Sequence, residues 1–492
     1  MSTAEEQDLS DDLNSMTIKN IGYNTLSRFW IMIFQFAGNI ILSRTLIASD
    51  YGIVAFAMIF INFLTQFSDF GINSAIIQDK YADNNKINTA FAMKMGISVL
   101  IVGTGWIVAP LSGYMTDNKV VIDVIRLLSF NFLISVFCFL PSVYLTKQLD
   151  YKKLAVNNIL TQCINTGSAI ALVLNGFSFW CIVYANIIST LFSAVLYNIQ
   201  LPIRPKIVWN QKAAAEIFGF SWHVFASGFI GYVLVHADNL LVGTYMGASA
   251  LGYYCIAFTW ATLIAYLLKM IAGSVFFPTF SQIRHDKTKL SIYYRTSFQY
   301  VCLITLVANV MLMLVSRELL FVVLGKNSDK WLPALDTLRI LLIYGTMRGM
   351  SEAITPLLIA TGETRFLLNV SIFAIIIETV AIYPAAMMGS IETVAIAVTV
   401  SYLPVFYLYI RKAAHQMEQT IWESLKVIMP YVLIAGIFVC CLFAIDTQTQ
   451  ITLLSFIQKV IAGLVAYFAL LVVCTRGRIL QDMRFVLLSL KR

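Results

Sequence analysis

Seven basic residues fall inside stretches that are otherwise apolar: Arg28, Lys94, Arg126, Lys269, Arg339, Arg348 and Lys459. A charge among hydrocarbon side chains is costly, so each must reach water, a counter-charge or an anionic partner. Arg28 follows Lys19 by nine residues, and Asp69 precedes Lys80 by eleven. On helices rising 1.5 Å per residue, both then sit about 14 to 16 Å inside the nearer polar boundary. Lys269 stands 200 positions after Asp69. One carboxylate and two cations therefore share a level. Guanidinium and ammonium groups grouped in this way suit phosphate oxygens. Arg28 and Lys269 are candidates to hold a diphosphate, with Asp69 pairing with one of them when the site is empty. A permanent pair that only neutralises buried charge is the structural alternative.

Other ionisable groups fit less simply. Arg348 and Glu352 are four residues apart, the spacing of an ion pair on one helix face. Arg348 could also line a cavity, and Glu352, Glu378 and Asp238 are candidates for ion coupling. Asp123 with Arg126, and Asp336 with Arg339, sit in the first turns of two spans, where Asp suits the helix dipole. A structural or periplasmic gating role is expected there. Lys94 and Lys459 are expected to snorkel toward the interface. Tyr232, Tyr266 and Tyr344 could stack on sugar rings, although membrane tyrosines more often pack or anchor. The eight cysteines show no metal-ligand spacing, so no metal site is expected.

These positions need helices of membrane length. The 492 residues are 59% hydrophobic and 12% charged, which excludes a soluble globular enzyme. Fourteen apolar stretches occur between residues 20 and 475, long enough to span as helix and lacking the alternation of a barrel. With both termini on one side, the loops of that side hold 22 Lys and Arg against five on the other. That asymmetry places both termini in the cytoplasm. The acidic start, MSTAEEQDLSDDLNS, is unlike a signal peptide. The basic tail after residue 475 is expected either to lie on the inner leaflet as a helix or to be solvated.

The chain also repeats itself. LIASDYG (Leu46 to Gly52) returns as MGASALG (Met246 to Gly252), and six positions between Ala37 and Ala57 match those 200 residues later. DVIRLL, with Asp123 and Arg126, returns as DTLRIL, with Asp336 and Arg339; a proline follows each, Pro141 and Pro356. Six spans separate the copies, so both halves enter the membrane in the same direction, a parallel repeat. The expected fold is all-α and polytopic, with two pseudo-symmetric six-helix lobes and two further helices. Its parts are an acidic tail (1–17), an N-lobe (18–199), a cytoplasmic linker (200–212), a C-lobe (213–412), two last spans (413–475) and a basic tail (476–492).

SDFGINSAIIQ (Ser68 to Gln78), ADNLLVGTYMGASALGYY (Ala237 to Tyr254) and FPTFSQIRHDKTKL (Phe277 to Leu290) resemble signature segments of Wzx-type polysaccharide flippases. These belong to the MOP superfamily, with its MATE-like fold. The resemblance implies movement of an undecaprenyl-diphosphate-linked oligosaccharide from the cytoplasmic to the periplasmic leaflet of a bacterial inner membrane, for surface polysaccharide assembly. Alternating access to a cationic central cavity would carry it. The lipid bilayer, a polymerase and a chain-length regulator are the expected partners, with no nucleic acid. No cofactor is expected; a proton gradient, a sodium gradient and the membrane potential all remain open as the drive. The competing readings are a multidrug or cation antiporter of the same superfamily, and a polytopic polymerase or ligase. The former would call for an acidic cavity and the latter for a sizeable external loop.

Overall fold

The computed structural model describes residues 3–79, 83–115, 119–203, 205–324, 331–423, 426, 429–436 and 453–474. Among them every regular element is helical. Among the described residues nine helices are long and apolar enough to cross a membrane by length and composition. Most of the thirteenth expected span and the basic tail lie outside the described residues.

The chain divides into two compact units, Met1–Gly252 and Tyr253–Arg492. The first contains α1 (Thr3–Thr45), α2 (Ala48–Asp69), α3 (Ile72–Gln78), α4 (Asn84–Met115), α5 (Val120–Lys147), α6 (Tyr151–Leu174), α7 (Trp180–Gln200) and most of α8 (Gln211–Ala261). Helix α5 is its hub, packing against α2, α3, α4, α6 and α7. Its proline has a visible remedy. Pro141 has no N–H to give the carbonyl four residues back, and the Asn198 amide of α7 donates to that carbonyl, Phe137 O, at 3.0 Å. Ile72, Ile76, Phe91, Phe139 and Leu140 form a core that Ala214 and Ile217 of α8 complete.

Helix α8 joins the seventh expected span to the eighth. Its one non-helical residue is Gly247, at φ 82° and ψ 176°, inside the repeated turn. The second expected span is interrupted instead. Phe70 and Gly71 take positive φ angles of 28° and 72° between α2 and α3.

The second unit continues with α9 (Leu263–Ile271), a π-helical turn (Ala272–Phe276), α10 (Phe277–Ile283), α11 (Lys287–Leu314), α12 (Ser316–Leu324), α13 (Ala334–Ala360), α14 (Thr364–Met387), α15 (Ile391–Gln416) and α16 (Leu453–Cys474). Helix α13 is the hub here, touching α9, α10, α11, α12, α14 and α15. The two hub helices are thus the two carrying the D-x-x-R echo. Helix α12 lies in the connection between α11 and α13. Helix α16 docks on α11 and α12.

Candidate functional site

Helix α13 brings charge into the middle of the second unit. It can approach its neighbours because Gly345 has no side chain: a Cβ there would stand 1.9 Å from the Ala261 carbonyl oxygen. One turn on, Arg348 lies fourteen residues from the start of α13 and twelve from its end, about 20 Å from either. Its Nε is 3.8 Å from Glu352 Oε1, and the Arg348 side chain is 41% exposed against 11% for Glu352. Tyr402 of α15 donates to Ser351 Oγ at 3.0 Å and lies within hydrogen-bonding reach of the Arg348 guanidinium. The Tyr344 and Tyr402 rings meet edge to face at 5.1 Å. Lys269, exposed on α9, is near enough for its charge to act on Glu352. Two cations, one carboxylate and two phenols thereby share one neighbourhood. Such a group can bind an anion through forked guanidinium donors while a carboxylate competes for the same cation.

The other predicted residues fall elsewhere. Arg28 is exposed on α1, beside exposed Leu26, Phe29 and Trp30. The Asp69 side chain lies outside the described residues; its backbone ends α2. Glu378 is half-buried on α14. Asp238 is 6% exposed and accepts from the Asn239 amide at 2.7 Å. The two D-x-x-R echoes behave alike, pairing Arg126 with Asp123 at 4.0 Å and Arg339 with Asp336 at 3.3 Å. Their surroundings differ. Arg126 sits 5.4 Å over the Trp106 ring, whereas Arg339 Nε donates to Ser316 Oγ at 3.2 Å. Tyr266 is exposed and Tyr344 buried; the Tyr232 side chain lies outside the described residues.

Two expectations are corrected. Lys94 does not snorkel: it is 4% exposed, and its ammonium donates to Ser68 O at 2.5 Å and to Ser68 Oγ at 3.3 Å. The carbonyl is available because α2 ends there. Lys459 does not snorkel either. It pairs with Glu318 of α12, whose side chain is 7% exposed. Tyr402 is absent from the sequence-derived candidates. Its available signal was a Ser-Tyr pair inside the apolar run VTVSYLPVF, one polar step off the lipid-facing pattern.

At the end of the first unit expected to face the cytoplasm, Lys86 bridges Asp79 at 2.7 Å and Glu216 at 3.0 Å. The hydrogen bond to Asp79 is the main reason the Lys86 ammonium keeps its proton above the ordinary lysine range; burial opposes it and Glu216 adds to it. Among the described residues no three His, Cys, Asp or Glu side chains converge as a metal site.

A family model described as polysaccharide biosynthesis protein matches residues 41–336, over half the chain. The chain is 23% identical over 397 residues to the lipopolysaccharide biosynthesis protein WzxC of Escherichia coli (strain K12), covering 80% of this chain and 78% of that protein. It is 22% identical to the teichuronic acid biosynthesis protein TuaB of Bacillus subtilis (strain 168), covering 66% and 68%. Among solved structures, the lipid II flippase MurJ in an inward closed conformation superposes with a TM-score of 0.72 at 12% identity, over 92% of this chain and 99% of that one. An inward-facing multidrug resistance MATE family transporter of the MOP superfamily gives 0.62 at 15% identity, over 79% and 96%. The fold is therefore the MATE-like fold of that superfamily.

Proposed function

Because this chain belongs to the polysaccharide biosynthesis protein family, we propose that it is a flippase for oligosaccharide repeat units carried on undecaprenyl diphosphate. It moves them from the cytoplasmic to the periplasmic leaflet of the inner membrane by alternating access. The names of its relatives, in lipopolysaccharide, succinoglycan and teichuronic acid biosynthesis, support a transporter of surface polysaccharide precursors. The observation that carries the reading is the pairing of Arg348 with Glu352 at mid-length in α13, with Lys269 acting on the same carboxylate.

Arg348 and Lys269 supply positive charge that a diphosphate needs to leave water, and Arg348 adds a fork matched to phosphate oxygens; Arg28 remains a separate proposal for holding the diphosphate. Glu352 holds Arg348 in the empty state and yields it when the anion enters. Asp69, Glu378 and Asp238 remain proposals for coupling to a proton or sodium gradient. The paired Asp123–Arg126 and Asp336–Arg339 are proposals for the periplasmic gate. An antiporter for cationic drugs is disfavoured here, because two cations face one carboxylate.

The test is deletion of the gene and complementation with Arg348→Glu. Accumulation of lipid-linked repeat units on the inner leaflet in both strains is the expected result. Accumulation on the outer leaflet would point instead to a polymerase or ligase. Full export by a correctly inserted Arg348→Glu protein would remove Arg348 from the site.

A further inference from the structure

The first unit contains a cavity of about 400 Å³ walled by α2, α3, α4, α5 and α7, within the size range of about 300–1,000 Å³ typical of small-molecule sites. Its wall is polar at a depth where polarity needs a reason. Along α5 the polar contribution recurs at helical spacing, Asn131, Ser135 and Ser142, so that one face of an apolar span turns hydrophilic. The hydrogen bonds show which half of the serine and threonine hydroxyls on this wall remains. Ser135 and Ser142 donate to Phe132 O and Phe139 O, and Thr65 and Thr190 donate to Ile61 O and Asn186 O. With their protons committed, these hydroxyls retain lone pairs only. Asn131 gives one amide proton to Asn186 Oδ1 at 2.8 Å. The Oδ1 atoms of Asn131 and Asn73 have no hydrogen-bond partner. The wall is rich in acceptors.

Charge narrows what can enter. Among the described residues no carboxylate lines the cavity and the one ion is Lys94, whose charge repels a metal cation. An anion would need that ammonium, which is turned onto the Ser68 carbonyl. An occupant that donates hydrogen bonds and carries no charge fits both constraints. Phe132 and Phe139 add apolar surface beside the acceptors, the combination that suits a ring with hydroxyls on its rim and C–H groups on its face.

We propose that this cavity of the first unit binds one neutral, hydroxyl-donating sugar ring. That the ring belongs to the transported oligosaccharide rests on the function proposed above; binding of a free sugar does not.

Cys138 lines the cavity and is a reduced thiol, as is Cys163 of α6 outside it. The experiment follows N-ethylmaleimide labelling of both by peptide mass spectrometry, using the full-length protein in lipid nanodiscs with glucose, galactose, sodium chloride, potassium chloride or choline chloride. A hexose at about nine times its Kd should slow Cys138 labelling about tenfold, since only the empty fraction reacts, and leave Cys163 unchanged. Slowing by sodium or potassium but by neither hexose would overturn the proposal in favour of a cation. Slowing by no solute would overturn it in favour of water alone. Tritiated-hexose binding by scintillation proximity covers a Cys138 that proves unreactive. Wild-type protein should bind, Asn131→Leu should bind at least about tenfold more weakly for the loss of a buried polar partner, and absence of wild-type binding would again overturn it. Export that survives without hexose binding sinks only this proposal, whereas hexose binding without export of lipid-linked units sinks the function above.

Discussion

Gly52 lies so close to Ala248 that a Cβ built on it would stand 1.6 Å from the Ala248 carbonyl oxygen. The contact is reciprocal, because a Cβ on Gly252 would stand 2.0 Å from the Ala48 carbonyl oxygen. Positions 48 and 52 thus meet positions 248 and 252 crosswise, the pattern of a two-fold contact in which one surface serves both partners. This accounts for the echo between LIASDYG and MGASALG. Each copy must be small to admit the other. Asp50 fixes the first copy, accepting from Ile47 N at 3.3 Å and from the Ser178 hydroxyl at 3.1 Å.

Gly52→Val and Gly252→Val should therefore each destabilise the protein, by about 1–3 kcal/mol as for overpacking a close contact. Once the first has separated the turns, the second should add less than its own cost. Thermal unfolding of both single variants and the double variant checks this. Full additivity would mean that the two glycines do not share one contact.

Arg348→Gln should lower transport of lipid-linked sugar in proteoliposomes by about 10- to 100-fold, the loss of a charge-assisted hydrogen bond of roughly 1.5–3 kcal/mol. Arg348→Lys keeps the charge without the fork and should fall between it and wild type. Tyr402→Phe removes one neutral partner and should cost less than either. Equal rates for Gln and Lys variants would assign the effect to shape rather than charge.

Lys459→Met leaves Glu318 buried without its counter-charge, at an expected cost of about 3–5 kcal/mol. Adding Glu318→Leu should restore most of the lost stability, since both charges are then gone. Guanidinium unfolding curves of the single and double variants decide it. A double variant as unstable as Lys459→Met would show that the pair does more than neutralise itself.

Because Lys86 binds its proton more tightly when folded, its contribution is present in full below the ordinary lysine pKa of about 10.4 and is lost as pH rises through the folded value. Glu216→Gln removes one of its two partners, at a cost below about 1 kcal/mol for a pair this exposed. The stability gap between wild type and Glu216→Gln should close at strongly alkaline pH. A gap that persists there would exclude the ammonium as its source.

Gly71→Ala places a side chain on left-handed backbone and should cost about 1–2 kcal/mol, read as a lowered melting temperature.

Much of the architecture was legible because its signals are periodic or repeated. Apolar length set the spans, the D-x-x-R echo marked the two hub helices, and the four-residue spacing of Arg348 and Glu352 put them on one face. What stayed hidden depends on partners far along the chain. Lys459 and Glu318 are 141 residues apart, and nothing local tells a lysine that will pair from one that will snorkel. Lys94 finds a carbonyl only because α2 stops at Asp69, a break written in a single glycine. Tyr402 joins Arg348 through the packing of α15 on α13, which sequence spacing does not encode. The polar face of α5 was present in the sequence, but serine and asparagine carry no charge to draw attention within an apolar run.

The interruptions of the two second spans occur at corresponding places. Phe70 and Gly71 break the first copy just after Asp69, and the π-helical turn Ala272–Phe276 follows Lys269 at the same repeat position. A rod weakened at one level bends there and stays stiff elsewhere. In the first copy the outer segment can remain seated at Gly52 while the inner segment tilts. The energetic penalty of the missing backbone bonds is incurred once, as the chain folds, and not again at every turnover.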